Sequence, residues 1–263
     1  MNAPAPQTTD TQKSDTRKSD TRKNDTRESE VWARLATVSD PELDESVADM
    51  GFVDSLELGE GGEVRIGFRL PTFWCAPNFA FLMAHDMRTA VECLPWVSRA
   101  VINLDDHCHA KEINHGVGAG LSFAETFPGQ AVAELDKLRV TFRRKAYLRR
   151  QELLLRSLKE AGFTPAQLCT LRMGELAGLN LDSAEAIPLR TRYIEIRGEF
   201  GGPAADDDLA FATDTGTPLT PDMFADYLKQ LRSVRVNAEF NANMCRSILQ
   251  TRYGETAPEI TKE

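Results

Sequence analysis

The chain has 263 residues, 41% of them hydrophobic and 27% charged, which is enough to bury a sizeable core without disulfide bonds. No stretch approaches the roughly 18 consecutive apolar residues of a membrane span, and no apolar run follows the N-terminus as it would in a secretory signal. Five cysteines at uneven spacing do not suggest a disulfide framework. We therefore predict a protein of the reducing cytoplasm with no membrane partner.

The formal net charge of -9 arises in one segment, because residues 31–129 carry 6 basic and 15 acidic side chains while the rest of the chain is balanced. Neutralising nucleic-acid phosphates requires an excess of Lys and Arg, so nucleic acid is not an expected partner. One basic run could still form a positive helix face for nucleic acid, an acidic partner or the protein's own acidic segment, although a solvated or intramolecular face is the simpler interpretation. Its members are Lys137, Arg139, Arg143, Arg144, Lys145, Arg149 and Arg150.

Both ends of the chain are predicted to be tails. Residues 1–30 contain a five-residue repeat of polar and charged side chains, with no apolar residue in any repeat unit. Such a segment cannot offset its conformational entropy by burial, so we predict a disordered tail, with a docking tail as the alternative. Residues 254–263 are predicted to be a second, short tail.

Residues 31–120 are predicted to form a small domain of the α+β class. Its elements follow in the order helix, strand, strand, helix and strand, at residues 31–38, 52–58, 64–70, 77–94 and 97–104. A Gly-rich turn separates the first two strands, which is typical of a hairpin. Pro77 suits the first turn of the second helix, where an apolar stripe at helical spacing begins. This order predicts a two-layer fold, with helices on one face of a three-stranded sheet.

Residues 130–253 are predicted to form a separate, mostly helical domain. Helical periodicity covers residues 131–161, 165–178 and 221–236. Residues 187–196 are interpreted as an extended pair. The stretches from Leu158 to Leu179 and from Asp214 to Thr220 also resemble the core of tyrosine recombinases. No histidine follows His115, however, and Thr164 stands where that family has its first catalytic arginine, so we expect a helical scaffold without strand-exchange activity.

Cys75 lies between the end of a predicted strand and the start of a predicted helix. At such a junction, unpaired backbone N–H groups and the helix dipole favour an anion, so a thiolate there could bind a metal or attack an electrophile. The alternative is that Cys75 is a small buried hydrophobic residue, as free cysteines often are. Its position alone leaves both interpretations open.

A second candidate site follows the third predicted strand, where three of the chain's four histidines and one cysteine fall within nine residues: His107, Cys108, His109 and His115. Imidazole and thiolate ligands at this density suit zinc or iron, and neighbouring carboxylates could orient the imidazoles. The spacing differs from that of a zinc finger, and a histidine-rich polar loop is the alternative. The sequence contains no Walker loop, no serine elbow and no Cys-x-x-Cys motif.

Residues 31–104 contain a series of short motifs: Asp40-Pro41-Glu42-Leu43, Asp49-Met50-Gly51-Phe52-Val53, the strand from Val64 to Leu70, Thr72 with Cys75, and Leu94-Pro95-Trp96-Val97. In their order and spacing these motifs resemble the MIP18 (DUF59) family of iron–sulfur cluster assembly factors, which includes PaaD-like and SufT-like proteins. The resemblance covers 74 of 263 residues. Four features depart from the family pattern: Phe73-Trp74 in place of small residues, Ala76 before Pro77, the His-Cys-His loop, and the appended C-terminal region.

The resemblance implies a non-catalytic role in assembling or delivering an iron–sulfur cluster or iron, with Cys75, Asp40 and Thr72 as the functional residues. Binding would be transient, because one cysteine cannot hold a cluster alone. The remaining ligands would come from the His-Cys-His loop, from a partner, or from a second subunit in a homodimer. The implied partners are a cluster carrier protein or a client metalloenzyme, for instance a bacterial di-iron monooxygenase.

Two other hypotheses stay open at this point. The first is a metal-free module that docks a monooxygenase or a chaperone through the acidic segment and the basic run. The second is a metal-dependent enzyme at His107, His109 and His115, which would require a substrate pocket that the sequence does not reveal.

Overall fold

The structure is a computed structural model that describes residues 24–129, 132–181, 183 and 185–254. The predicted disorder of residues 1–23 and the predicted tail at residues 255–263 lie outside the described residues. Contacts between residues divide the chain into two compact units. Of the described residues, the first unit contains 24–40, 45–129 and 246–254, and the second contains 41–44, 132–181, 183 and 185–245.

The first unit begins with helix α1 over residues 24–35. Its first turns, residues 24–30, belong to the segment that the sequence predicts to be a disordered tail, and Asn24 to Glu28 form the last unit of its repeat. Contacts distant in sequence accompany this helical structure: Trp96 Nε1 donates a hydrogen bond to Glu30 Oε2 at 2.6 Å, and the Arg27 guanidinium lies 4.8 Å from the centre of the Trp96 ring. A repeat pattern cannot reveal a partner 66 positions away.

The sheet of the first unit has three strands in the order β1 (Val53–Leu58), β2 (Glu63–Arg69) and β3 (Arg99–Asp105). β1 and β2 pair antiparallel across a turn that contains the 3-10 helix Glu60–Gly62, and β2 and β3 pair in parallel. The side chains of the predicted inward face are all at most 1% exposed: Val64, Ile66, Phe68 and Leu70. The predicted hairpin, third strand and buried face are confirmed.

Three helices follow the first two strands in this unit: α2 (Pro77–Glu92), α3 (Ala110–Ala119) and α4 (Phe123–Thr126). α2 buries most of its predicted apolar stripe, including Leu82, Met83, Met87 and Val91. The sequence analysis did not predict α3 and α4, because glycines interrupt the pattern of α3. Packing requires glycine at position 116 of α3, because a Cβ there would collide with the side chain of Thr126.

The second unit is helical, as predicted, and contains α5 (Val132–Glu160), α6 (Pro165–Thr170), α7 (Met173–Gly178), α8 (Ala186–Arg197) and most of α9 (Pro221–Tyr253). The interpretation of residues 187–196 as extended is wrong, because these residues form α8. Ala186, Tyr193 and Ile196 are buried at helical spacing along it. Thr164 begins α6, where its hydroxyl accepts a hydrogen bond from the backbone N–H of Gln167.

A polar network lies at the centre of the second unit's core. Tyr147 Oη and Gln151 Nε2 donate to the Ala212 carbonyl at 2.7 and 2.9 Å, and Tyr227 Oη donates to Gln151 Oε1 at 2.6 Å. Burial raises the pKa of Tyr147 and the pKa of Tyr227, so both hydroxyls stay protonated and remain hydrogen-bond donors. The network therefore satisfies polar groups that are shielded from water.

The basic run on α5 forms ion pairs within the second unit. Arg143 pairs with Glu199, Arg144 lies 3.5 Å from Asp214, and Arg150 contacts Asp44 at 2.6 Å. These contacts correspond to the intramolecular interpretation of the run.

Candidate functional site

Cys75 lies in the loop between β2 and α2, where the sequence analysis placed it, and its side chain is half-buried. The structure brings Thr72 to it, with 3.2 Å between Thr72 Oγ1 and Cys75 Sγ. The backbone N–H of Cys75 also points back to the Thr72 carbonyl, at 3.4 Å. When Cys75 is a thiolate, it can only accept, so the Thr72 hydroxyl is the donor. Cys75 is thus partly exposed, and its sulfur has a hydrogen-bond partner.

The His-Cys-His loop lies against the Cys75 loop. His107 is 5% exposed, and its Nε2–H donates to the Cys75 carbonyl at 2.7 Å. Its Nδ1 accepts from the backbone N–H of His109 at 3.1 Å, while the N–H of Cys108 donates to the Phe73 carbonyl at 2.8 Å. His107 therefore fixes the backbone of Cys75, and both of its ring nitrogens are occupied in this arrangement.

The other predicted site residues are placed differently. Cys108 is exposed, His115 is exposed on α3, and His109 is half-buried with its ring edge-on to Phe127 at 5.5 Å. Asp40 is 8% exposed, and its N–H donates to the Glu45 carbonyl at 2.8 Å. Within the described part of the chain, no group of three or more His, Cys, Asp or Glu side chains is arranged to hold a metal ion. The ligand set and the pairing of Asp40 with Cys75 stay predictions.

Burial lowers the pKa of His107 from its ordinary value of 6.5, because the charged imidazole would lose its hydration. The unfolded chain then binds a proton at higher pH than the folded chain. The stabilising contribution of neutral His107 is therefore complete above pH 6.5 and is lost as the pH falls through the lower folded pKa.

We expect the NMR titration midpoint of the His107 ring to lie below 6.5. The fall in unfolding free energy on acidification should be smaller in His107→Gln, whose side-chain amide still donates to the Cys75 carbonyl but does not titrate. Urea unfolding followed at several pH values compares the two proteins. A midpoint at or above 6.5 for the ring would contradict the assignment of a neutral, buried His107.

The C-terminal end of α9 contacts the same pair of loops, which the sequence analysis missed. Arg252 donates to the Pro71 carbonyl at 3.1 Å and to Asp106 Oδ2 at 2.6 Å, and Tyr253 Oη donates to the same Asp106 oxygen at 2.7 Å. Burial, with the Asp106 contact, raises the pKa of Tyr253 to about 12, so it remains a donor. These residues belong to the first unit and link the segment before Cys75 to the one before His107.

Two aromatic side chains directly precede Cys75. Trp74 is 75% exposed and Phe73 is 44% exposed. Exposed aromatic residues of this size are typical of protein interaction sites. The two residues that precede Cys75 therefore expose aromatic side chains that a partner could contact.

Comparison with known proteins bears on this site. Residues 28–102 match a family model described as "Iron-sulfur cluster assembly protein", and the matched segment contains Thr72 and Cys75. The match supports an iron–sulfur cluster assembly role. An uncharacterized protein of Methanocaldococcus jannaschii is 29% identical over 85 residues, which are 32% of this chain and 87% of that protein. No solved structure matches the chain.

Among the described helices, none is long and apolar enough to cross a membrane.

Proposed function

We propose that the first unit binds iron or an iron–sulfur cluster transiently at Cys75 and delivers it to a client metalloenzyme. The observation that carries the proposal is the 3.2 Å contact of Thr72 Oγ1 with the half-buried Cys75 Sγ, within the segment that matches the assembly family. A thiolate is the ligand form of cysteine for iron. Because a hydrogen bond from Thr72 competes with the metal for the electron pairs of the sulfur, it favours a bond that can be broken again.

A single thiolate leaves most coordination positions of the cargo open, since clusters are usually held by four protein ligands. Cys108 and His109 are the candidate ligands that need the least rearrangement. Among the described hydrogen bonds to the Cys75 loop, none involves the Cys108 thiol or the His109 ring, so none would have to break for these groups to bind the cargo. His107 would first have to release the Cys75 carbonyl, so we assign it a positioning role. The remaining ligands come from the client, a carrier or a second subunit, which makes the cargo transferable.

For the client we propose a bacterial di-iron monooxygenase, because the aromatic residues before Cys75 and the additional helical unit distinguish this chain from a general assembly factor. Trp74 and Phe73 would then contact the client while the cargo moves from Cys75.

Anaerobic reconstitution with iron and sulfide tests the proposal. We expect the wild-type protein to retain iron and to show visible absorption, and Cys75→Ala to lose both. Cys108→Ala should lose part of the iron if Cys108 is a ligand. Cys93→Ala is the matched control, because Cys93 is an exposed cysteine of the same unit at the end of α2. Equal iron content in all four proteins would refute the proposal.

A second candidate function is metal-free docking of a monooxygenase or chaperone, which the exposure of Trp74 favours. In that case a purified client would bind the metal-free wild-type protein and the metal-free Cys75→Ala variant equally well, and Trp74→Ala would weaken the complex. Cluster delivery instead predicts that Cys75→Ala abolishes activation of the client. Trp74→Ala would then only raise the concentration of this protein that is needed to activate the client.

A further inference from the structure

The loop that carries Cys75 lies at the surface of the first unit. Every residue from 72 to 76 is half-buried or exposed, whereas Pro71, directly before the loop, is buried. A surface segment of this kind is held in place mainly by its polar contacts, and it opens when they are lost. The position of the Cys75 sulfur therefore depends on the hydrogen bonds that reach the loop.

Hydrogen bonds from two distant segments hold the backbone of this loop. The Arg252 guanidinium, in the last turn of α9, donates to the Pro71 carbonyl at 3.1 Å, where the loop begins. Residues 107–108 donate to two carbonyls within the loop at 2.7 and 2.8 Å, and the shorter of these bonds ends on Cys75 itself. The loop is thus fixed at its start by α9 and at its end by the segment after β3.

Asp106 links these two sets of contacts. Its Oδ2 accepts from Arg252 at 2.6 Å and from Tyr253 Oη at 2.7 Å, and it directly precedes His107. The backbone of Asp106 has a φ of 50°, a left-handed conformation that few residues other than glycine, asparagine and aspartate adopt. The two side chains at the end of α9 therefore hold the turn that directs residues 107–108 toward the Cys75 loop.

Tyr253 is held from the side of the sheet as well. The Arg69 guanidinium, at the end of β2, lies 4.4 Å from the centre of the Tyr253 ring, and Arg69 pairs with Asp54 at 2.9 Å. An exposed ion pair contributes little when it is isolated, but the pair of Arg252 with Asp106 belongs to a network that begins on β2. The end of α9 is thus connected both to the strand before the Cys75 loop and to the turn after β3.

We propose that the last turn of α9 positions the Cys75 thiol through Arg252 and Tyr253. Arg252 holds the segment before the loop directly, and both residues hold the loop indirectly through Asp106. The inference rests on the proposed function, in which this thiol is the ligand of the cargo. It adds that residues outside the matched segment 28–102 determine how the thiol is presented.

Labelling of the metal-free, full-length protein with iodoacetamide tests the inference, with the rate at each cysteine followed by peptide mass spectrometry. We expect Arg252→Ala to label Cys75 at least about fivefold faster than the wild type, because loss of the arginine's hydrogen bonds lets the loop open. Cys93, an exposed cysteine of the same unit, is the internal reference and should react at the same rate in both proteins. Equal acceleration at both cysteines would mean general loosening of the unit and would overturn the inference.

Arg88→Ala is the matched control. The Arg88 side chain is 26% exposed, against 28% for Arg252, and it likewise contacts one carboxylate, that of Glu92, and one backbone carbonyl, that of Val117. This variant should label Cys75 at the wild-type rate. Acceleration as large as that of Arg252→Ala would show that the loss of any such arginine loosens the unit, and the inference would fail.

A double-variant comparison tests the route through Asp106. Tyr253→Phe removes the hydroxyl that donates to Asp106 but keeps the ring against which Arg69 lies. It should accelerate labelling of Cys75 in the otherwise wild-type protein and add nothing to Asp106→Gly, which tolerates the φ of 50° but lacks the acceptor. Additive effects of the two substitutions would refute this route.

Reconstitution of the wild-type, Arg252→Ala and Cys75→Ala proteins with iron separates this inference from the proposed function. Faster labelling of Arg252→Ala, together with full iron retention by Cys75→Ala, would support the positioning of the thiol while refuting its role as a ligand. Unchanged labelling of Cys75 in Arg252→Ala would overturn the positioning role, whatever the iron content of Cys75→Ala.

Discussion

Arg197→Ala is expected to lower the unfolding free energy by at least about 3 kcal/mol, measured by urea denaturation followed by circular dichroism. The Arg197 side chain is buried, at 2% exposure, and its described hydrogen bonds go to four backbone carbonyls. These are the carbonyls of Ala210, Phe200, Gly202 and Leu209, at 2.9 to 3.1 Å. Removing the guanidinium leaves these acceptors without a donor and opens a cavity in the core.

Two variants show whether the loss of stability in Arg197→Ala comes from the number of hydrogen-bond donors that are removed. Arg197→Lys keeps the charge, but an ammonium cannot reach four carbonyls in the plane of a guanidinium, so most of the loss should remain. Arg232→Ala changes an exposed arginine of α9 and should have little effect. A loss below about 1 kcal/mol for Arg197→Ala would show that water replaces the missing donor.

The fold of the first unit could be predicted because its signals are local. Val64, Ile66 and Phe68 are buried along β2, while Arg65 is exposed and Glu63 and Arg69 are partly exposed. Buried apolar residues at every second position are characteristic of a strand. The second unit shows the limit of such signals. Isoleucine and threonine in residues 187–196 favour a strand, but packing of Tyr193 and Ile196 into the core requires a helix. Tertiary contacts decide the structure there, and the sequence pattern does not contain them.

The prediction that α9 ends at residue 236 failed for a related reason. Beyond that position the helix continues to Tyr253 without a regular buried stripe. Its apolar residues Phe240 and Met244 face solvent, so they do not produce the periodicity expected of a helix on a core.

The candidate site was predictable only as far as its residues are close in sequence. Thr72 and Cys75 are three residues apart, and their contact follows from the turn before α2. The contact of His107 with the Cys75 carbonyl spans 32 positions, and that of Arg252 with Asp106 spans 146. Composition suggested metal ligands in the His-Cys-His loop, whereas the geometry shows that His107 also supports the backbone of Cys75. Only the pairing of the two loops reveals this role.

Asp44→Asn is expected to lower the unfolding free energy by about 3 kcal/mol. The Asp44 side chain is 6% exposed and lies 2.6 Å from Arg150, 3.2 Å from Arg192 and 3.8 Å from Arg149, all within the second unit. Asparagine keeps the shape of the side chain and tolerates the φ of 52° at this position, so the variant removes the charge and little else. Arginines that share one buried carboxylate would then lose their counter-charge.

Asp226→Asn is the matched control, because Asp226 pairs with Lys229 on the surface, where the two side chains are 79% and 78% exposed. We expect no measurable change in urea denaturation for that variant, since water and salt screen an exposed pair. Raising the ionic strength should likewise leave the effect of Asp44→Asn in place, because buried charges are screened much less than exposed ones. Equal effects of the two substitutions would mean that water reaches the arginines around Asp44 and that the buried carboxylate is not what keeps them together.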